Sequence, residues 1–334
     1  MDQSKNRFKK NKGAVIVTCI PIVTFIVIEL VCNIFTGRHL IETSLDVTNF
    51  LRQVSINILA GYALLLNMGN GRMDISLGGQ KLVACLIGGN LALSMGMGVA
   101  GVILMSILFG MISGLLTGVL YVTLRLPAMI LGIGTALIFE AVAAAYAPEG
   151  FQLYGRQNMG MLSNVTLITI CGVVSIAVMY ILMDKSKFGI QYRAIAGSQK
   201  IAHTSGVKIY GKTVIIYCIC GALMSLSGIL ETGVSGYQSP AMNLSSITIA
   251  FTSFVPVFAA MIMQKWISTV FGVPVAVITF RILTMGITLF RLPSAASAVI
   301  TMGVLVLLLL IMNLVTAREK KKAEGLRIAA AQQA

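Results

Sequence analysis

GVKIYGKTVIIYCICGALMSLSGIL, Gly206 to Leu230, carries two signals that exclude each other. Gly206 to Thr213 satisfies the phosphate-loop pattern G-x-x-x-x-G-K-[ST], whereas the run from Val214 onward is apolar for long enough to enter a bilayer. A working phosphate loop needs a buried strand before it and a soluble helix after it, because that frame aims successive backbone N–H groups at phosphate oxygens. Upstream, AIAGSQKIAHTSG (Ala194 to Gly206) has no buried-strand pattern, and no acidic residue closes an apolar strand as a magnesium-binding Asp would. The stretch therefore reads as a basic loop feeding a membrane helix.

Composition agrees. The 334 residues are 57% hydrophobic and only 11% charged, with a mean hydropathy of +0.91, too apolar for a soluble domain with a polar rind. The net charge of +14 does not indicate nucleic acid, because the Lys and Arg residues lie between apolar runs rather than on one solvated face. Cys19, Cys32, Cys85, Cys171, Cys218 and Cys220 all lie in apolar segments without zinc-site spacing or a nearby His, so they read as small buried hydrophobes and no metal is expected. The opening MDQSKNRFKKNK followed by GAVIVTCIPIVTFIVIELVCNIF mimics a signal peptide, but no A-x-A site follows, and a retained first helix is expected.

Crossing the hydrocarbon takes about twenty mainly apolar helical residues. Ten runs qualify, at 14–35, 50–68, 74–95, 97–124, 127–147, 162–183, 213–235, 245–264, 266–290 and 296–316, which predicts an all-α polytopic membrane bundle. The organisation expected is a basic tail (1–13), a transmembrane body (14–316) with a loop at 184–212, and a second tail (317–334). An even number of spans puts both termini on one side. Placing them in the cytoplasm leaves only Arg38, Arg156 and Arg291 in external loops, as the preference of basic residues for the cytoplasmic face requires. PEGFQLYGRQNMG (Pro148 to Gly160) then faces outward. In GMISGLLTG, Gly110, Gly114 and Gly118 recur every fourth residue and clear one helical face for close approach of a neighbour.

The loop at 184–212 is the longest on the cytoplasmic side and carries six basic residues. It is either an ordinary solvated loop or a docking element, in which a short helix over GSQKIAHTSG seats in a partner's groove and moves the spans beside it.

Three blocks in order resemble the simple-sugar and ribose-type permeases of ATP-binding-cassette (ABC) importers. SKFGIQYRAIAGSQKIAHTSGVKIYGKTVIIYCICGALMSLSGIL (Ser186 to Leu230) looks like that family's coupling segment and following span. NFLRQVSINILAGYALLLNMGNGRMDISLGGQ (Asn49 to Gln80) resembles its polar second helix and I-D-L-S-V-G turn, and LRLPAMILGIGTALIFEAVA (Leu124 to Ala143) resembles its L-K-x-P-x-F-I-x-T-L-G helix. The resemblance implies a bacterial inner-membrane permease that pairs with a second permease and receives a sugar-like solute from an extracellular binding protein. Separate cytoplasmic ATPases would consume ATP and magnesium, and this chain would bind no cofactor. It places Gly197, Ser198, Gln199, Lys200, Ala202, His203, Ser205 and Gly206 on or beside the ATPase-facing coupling helix. Gln53, Asn57, Asp74, Ser76 and Thr135 become candidates for the pathway or its gate.

Two departures stand out. TSFVPVFAAMIMQKW (Thr252 to Trp266) replaces the family's glycine-rich turn, and Glu140 stands where an Arg is usual. Pairing with a non-identical permease that keeps the turn would accommodate the first.

Ionisable residues inside spans are functional candidates by default. Glu140 and Arg281 lie at matching depth, about 20 Å from the cytoplasmic edge at 1.5 Å per residue, so a structural ion pair is expected in preference to a role in the pathway, with Glu29 as a competitor for Arg281. Gln53 and Asn57 share a helical face with Asn49 and offer amides either to solute hydroxyls or to neighbouring helices. Asp74 is expected to cap the next span. The rivals to this reading are a nucleoside substrate within the same importer class, a proton-coupled carrier using Glu29, Glu140 or Lys81, and an intramembrane enzyme. The last is disfavoured by the absence of an H-E-x-x-H site and by having only His39 and His203.

Overall fold

The computed structural model describes residues 2–293 apart from 157 and 158, together with Ala296, Ser297, Val299, Ile300, Gly303, Leu310 and Leu314. Most of the expected span at 296–316 and the tail at 317–334 lie outside the described residues. The remaining nine expected spans all fall on helix.

In chain order the helices are α1 (Asp2–Thr36), α2 (Ser44–Met68), α3 (Leu77–Leu82), α4 (Asn90–Ser94), α5 (Val99–Leu124) and α6 (Ala128–Tyr146), then α7 (Val165–Tyr180), α8 (Lys187–Gly197), α9 (Gln199–Thr204), α10 (Ile209–Ser235), α11 (Ser246–Met263) and α12 (Thr269–Leu289). A π-helical stretch, Val83–Gly89, joins α3 to α4, and another, Ile181–Lys185, extends α7. The strands among the described residues are β1 (Phe151–Gln152) and β2 (Tyr237–Gln238), an antiparallel clasp with Phe151 opposite Gln238.

Seven of these helices are long and apolar enough to cross a membrane on their own: α1, α5, α6, α7 with its extension, α10, α11 and α12. The expected spans at 50–68 and 74–95 are different in kind. α2 is buried on every side from Ile58 to Met68, so its wall is protein rather than lipid and it tolerates more polar residues. It packs against α7, α10, α11 and α12. The second is broken into α3, the π segment and α4, with every residue of α3 buried. Irregular helix at membrane depth is tolerated where protein surrounds it. The outer helices carry the lipid-facing surface, including exposed Ile22, Leu104, Ile130 and Val173.

The glycine stripe does what its spacing predicts. Gly110 faces Ser225 and the Gly221 carbonyl, Gly114 faces the Tyr217 carbonyl, and Gly118 faces Val214 and Tyr217, so α5 lies directly on α10. A side chain at Gly114 would have to displace backbone. The departed segment Thr252 to Trp266 continues α11 through Pro256, with Phe254 and Val257 fully buried and the Phe254 ring stacked 6.2 Å from Phe258.

Local signals set the ends. Thr43 and Asp46 form a capping box at the start of α2. Arg125 takes a left-handed conformation (φ 55°) as α5 ends, and Pro127 starts α6 two residues later. The phosphate-loop match opens on Gly206 at φ +79° and runs straight into α10; α9, not a strand, precedes it.

Candidate functional site

Two features fall where the sequence directs attention. The first is the loop helix. α8 ends at Gly197, and Ser198 then caps α9, its Oγ accepting the Ile201 N–H at 3.4 Å. Ala202 is buried against the body, while Gly197, Gln199, Lys200, His203, Ser205 and Gly206 are exposed and Ile201 presents 67% of its surface. The result is a short, capped helix held by one small buried residue, with its outer face exposed.

The second is a cavity of about 240 Å³ among α2, α3, α10 and α11. Asn57, Lys81, Ser227, Glu231, Thr248 and Thr252 line it, so it offers amide, hydroxyl, ammonium and carboxylate groups. Lys81 Nζ donates to Glu231 Oε2 at 2.5 Å; the lysine side chain is only 4% exposed, the glutamate 47%. Gly228, one turn before Glu231, leaves room for the Lys81 stem. Asn57 and Lys81 are among the candidates the sequence offers; Glu231 is an additional one that the structure brings to light. Its signal was available: a lone carboxylate inside the apolar run at 213–235.

The other intramembrane charges are arranged differently from the expectation. Glu140 does not pair with Arg281. Its Oε2 accepts the Leu244 N–H at 2.9 Å and its Oε1 the Ser246 N–H at 2.8 Å. Asn243 and Leu244 are both left-handed (φ 58° and 64°), and Ser245 gives α11 no side-chain cap, so the carboxylate satisfies N–H groups that the turn leaves orphaned. Glu29 does not compete for Arg281 either: it binds His39 Nδ1 at 2.6 Å and the Leu40 N–H at 2.8 Å. Arg281 joins no ion pair among the described residues, and its Nε is buried without a hydrogen-bond partner.

Asp74 lies two residues before Ser76, the N-cap of α3, and does not cap that helix. Its Oδ1 accepts from the Ser76 N–H and hydroxyl, and its Oδ2 accepts from Asn67, which ties the α2–α3 turn together. Ser76 in turn accepts from Gln80 at 2.8 Å. Thr135 is buried and donates to Leu131 O within its own helix, and Gln53 is half-buried outside the polar cavity.

Residues 47–312 match the family described as the permease component of branched-chain amino acid transport systems. The chain belongs to this permease family. It is a multi-pass membrane subunit of an ABC importer, a transport component that leaves ATP hydrolysis to partner subunits. The permease is 25% identical over 299 residues to the galactose/methyl galactoside import permease of Salmonella typhimurium, covering 83% of this chain and 88% of that one. It is 26% identical over 227 residues to the ribose import permease of Bacillus subtilis (64% and 67%), and 24% identical over 196 residues to the autoinducer 2 import permease of Yersinia pestis (57% and 55%). No solved structure matches the permease.

Proposed function

We propose that this permease translocates a simple sugar or a related polyhydroxylated solute, delivered by an extracellular binding protein. It would work beside a second permease with both termini in the cytoplasm. The observation that carries the reading is the cavity of Asn57, Ser227, Thr248 and Thr252 around the Lys81–Glu231 pair. Hydroxyls and amides both give and take hydrogen bonds, as each hydroxyl of a sugar does, and a mutually neutralised charge pair demands no charge on the cargo. The galactoside and ribose relatives support the same solute class.

In this mechanism the permease contributes motion rather than chemistry. ATP closes the partner ATPases, Gly197 to Gly206 moves with them, and α8 and α10 on either side carry the displacement into the bundle. The test is uptake of labelled pentoses, hexoses and nucleosides by cells expressing the intact importer, with and without Asn57→Leu and Thr252→Val. Uptake of a sugar that depends on ATP and falls in both variants is the expected result. Uptake by this chain alone under an imposed proton gradient would overturn the reading.

A further inference from the structure

At the α2–α3 connection, Arg72 is 3% exposed, and its Nε and one terminal nitrogen are buried without a hydrogen-bond partner. It joins no ion pair among the described residues, and its guanidinium carbon lies 5.4 Å from the centre of the Tyr121 ring. Asp74, two residues on, has both carboxylate oxygens engaged by Ser76 and Asn67. A cation held out of water with free donors is costly, and native proteins leave few such groups unsatisfied.

Arg72 lines a cavity of about 170 Å³ together with Tyr121, Arg125, Gln199, Tyr210 and Thr213. Three positive features therefore converge. Arg125 brings a second guanidinium from the left-handed end of α5. α10 contributes its first turn, and Lys208, its N-cap, provides no side-chain cap, so the positive end of a 27-residue helix borders the space. The volume equals that of about six waters, enough for one phosphate group and too small for a nucleotide.

We propose that this cavity binds a phosphate oxyanion, either the headgroup of an anionic phospholipid or free inorganic phosphate. A guanidinium fork and a helix N-terminus are the two protein devices best matched to phosphate oxygens. Gln199 is the first residue of α9, so occupancy ties the α2–α3 connection to the loop helix. Of the stretch Gly206 to Thr213 only Ile209, Tyr210 and Thr213 border the cavity, while the Lys212 ammonium lies over the Phe188 ring, so the site does not depend on the phosphate-loop match.

The test uses the full-length chain. Thermal unfolding is followed in detergent with inorganic phosphate against chloride at equal ionic strength. It is repeated in phosphatidylcholine nanodiscs with and without phosphatidylglycerol. A higher melting temperature with phosphate identifies the free anion, and one with phosphatidylglycerol alone identifies the headgroup; either supports the site. Arg72→Gln and, separately, the exposed Arg125→Gln are expected to abolish the shift or to weaken half-saturation about tenfold, the scale of one charge-assisted bond. Arg125→Gln carries the test if the buried variant does not fold. No shift with either source, or a shift that persists unchanged in Arg125→Gln, overturns the proposal.

Discussion

Lys81 of α3 and Glu231 of α10 are 150 residues apart in the chain, yet ammonium and carboxylate meet at 2.5 Å in the wall of the polar cavity. The lysine is the buried partner and the glutamate is half open to the cavity, so the two ends of the pair are not equivalent. Losing the carboxylate strands a charge inside the protein, whereas losing both leaves a gap that neutral side chains fill.

Glu231→Gln is therefore expected to destabilise the permease by about 1–3 kcal/mol, less than a fully buried pair because Glu231 is partly solvated. The double variant Lys81→Met, Glu231→Gln should recover part of that loss. Melting of the four proteins in one detergent measures the coupling. Strict additivity of the two single changes would show that the contact contributes nothing to stability.

A second prediction concerns Glu140. Its two accepted bonds hold the start of α11, so Glu140→Ala should cost about 3 kcal/mol or more, and Glu140→Gln, which keeps one acceptor, less. Leu244 has no glycine-like freedom at φ 64°, so Leu244→Gly should be neutral or stabilising by up to about 1 kcal/mol despite its entropic cost. Equal melting of Glu140→Ala and wild type would show that these two bonds do not hold the start of α11.

A third prediction separates packing glycines from incidental ones. Gly114 lies against the Tyr217 backbone, and Gly134 in α6 has open space where a side chain would begin. Gly114→Val should abolish or severely reduce folded protein. Gly134→Ala should be tolerated, with a gain of about 0.5–1 kcal/mol from helix propensity. Folded yield by size-exclusion chromatography distinguishes the two outcomes.

What the sequence made legible follows from which quantities are one-dimensional. Hydrophobic run length places helices, and glycine spacing identifies a face, so the bundle and the close-packing face of α5 were readable, but not that α10 covers it. Depth along a span is also one-dimensional, which is why Glu140 and Arg281 looked like partners. Pairing needs the neighbours of each helix as well. α6 packs on α3, α5 and α11, while α12 packs on α1, α2, α7 and α11, and equal depth does not bring the two charges together. Two non-glycine residues in the left-handed region cannot be read from A-M-N-L-S-S, so the N–H groups awaiting Glu140 had no signal. Glu231 did have one, and its partner followed only once α3 and α10 were seen side by side.

The loop helix gives the prediction closest to function. α9 is only six residues long and stays in place through the Ser198 cap and buried Ala202, while Lys200 and Ile201 face outward. A bulky residue at Gly197, where nothing lies within 4 Å, would not disturb the bundle but would stand between α9 and a partner. Gly197→Trp and Lys200→Glu are therefore expected to leave membrane abundance and melting unchanged while lowering uptake by an order of magnitude or more. Ala202→Asp, by contrast, should unseat α9 itself, because a carboxylate at this buried position would be stripped of water. Measuring ATP hydrolysis and uptake together in the assembled importer separates these cases: hydrolysis that no longer responds to solute, with the permease intact, marks a broken connection. Normal uptake in both Gly197→Trp and Lys200→Glu would mean that force enters the permease somewhere else.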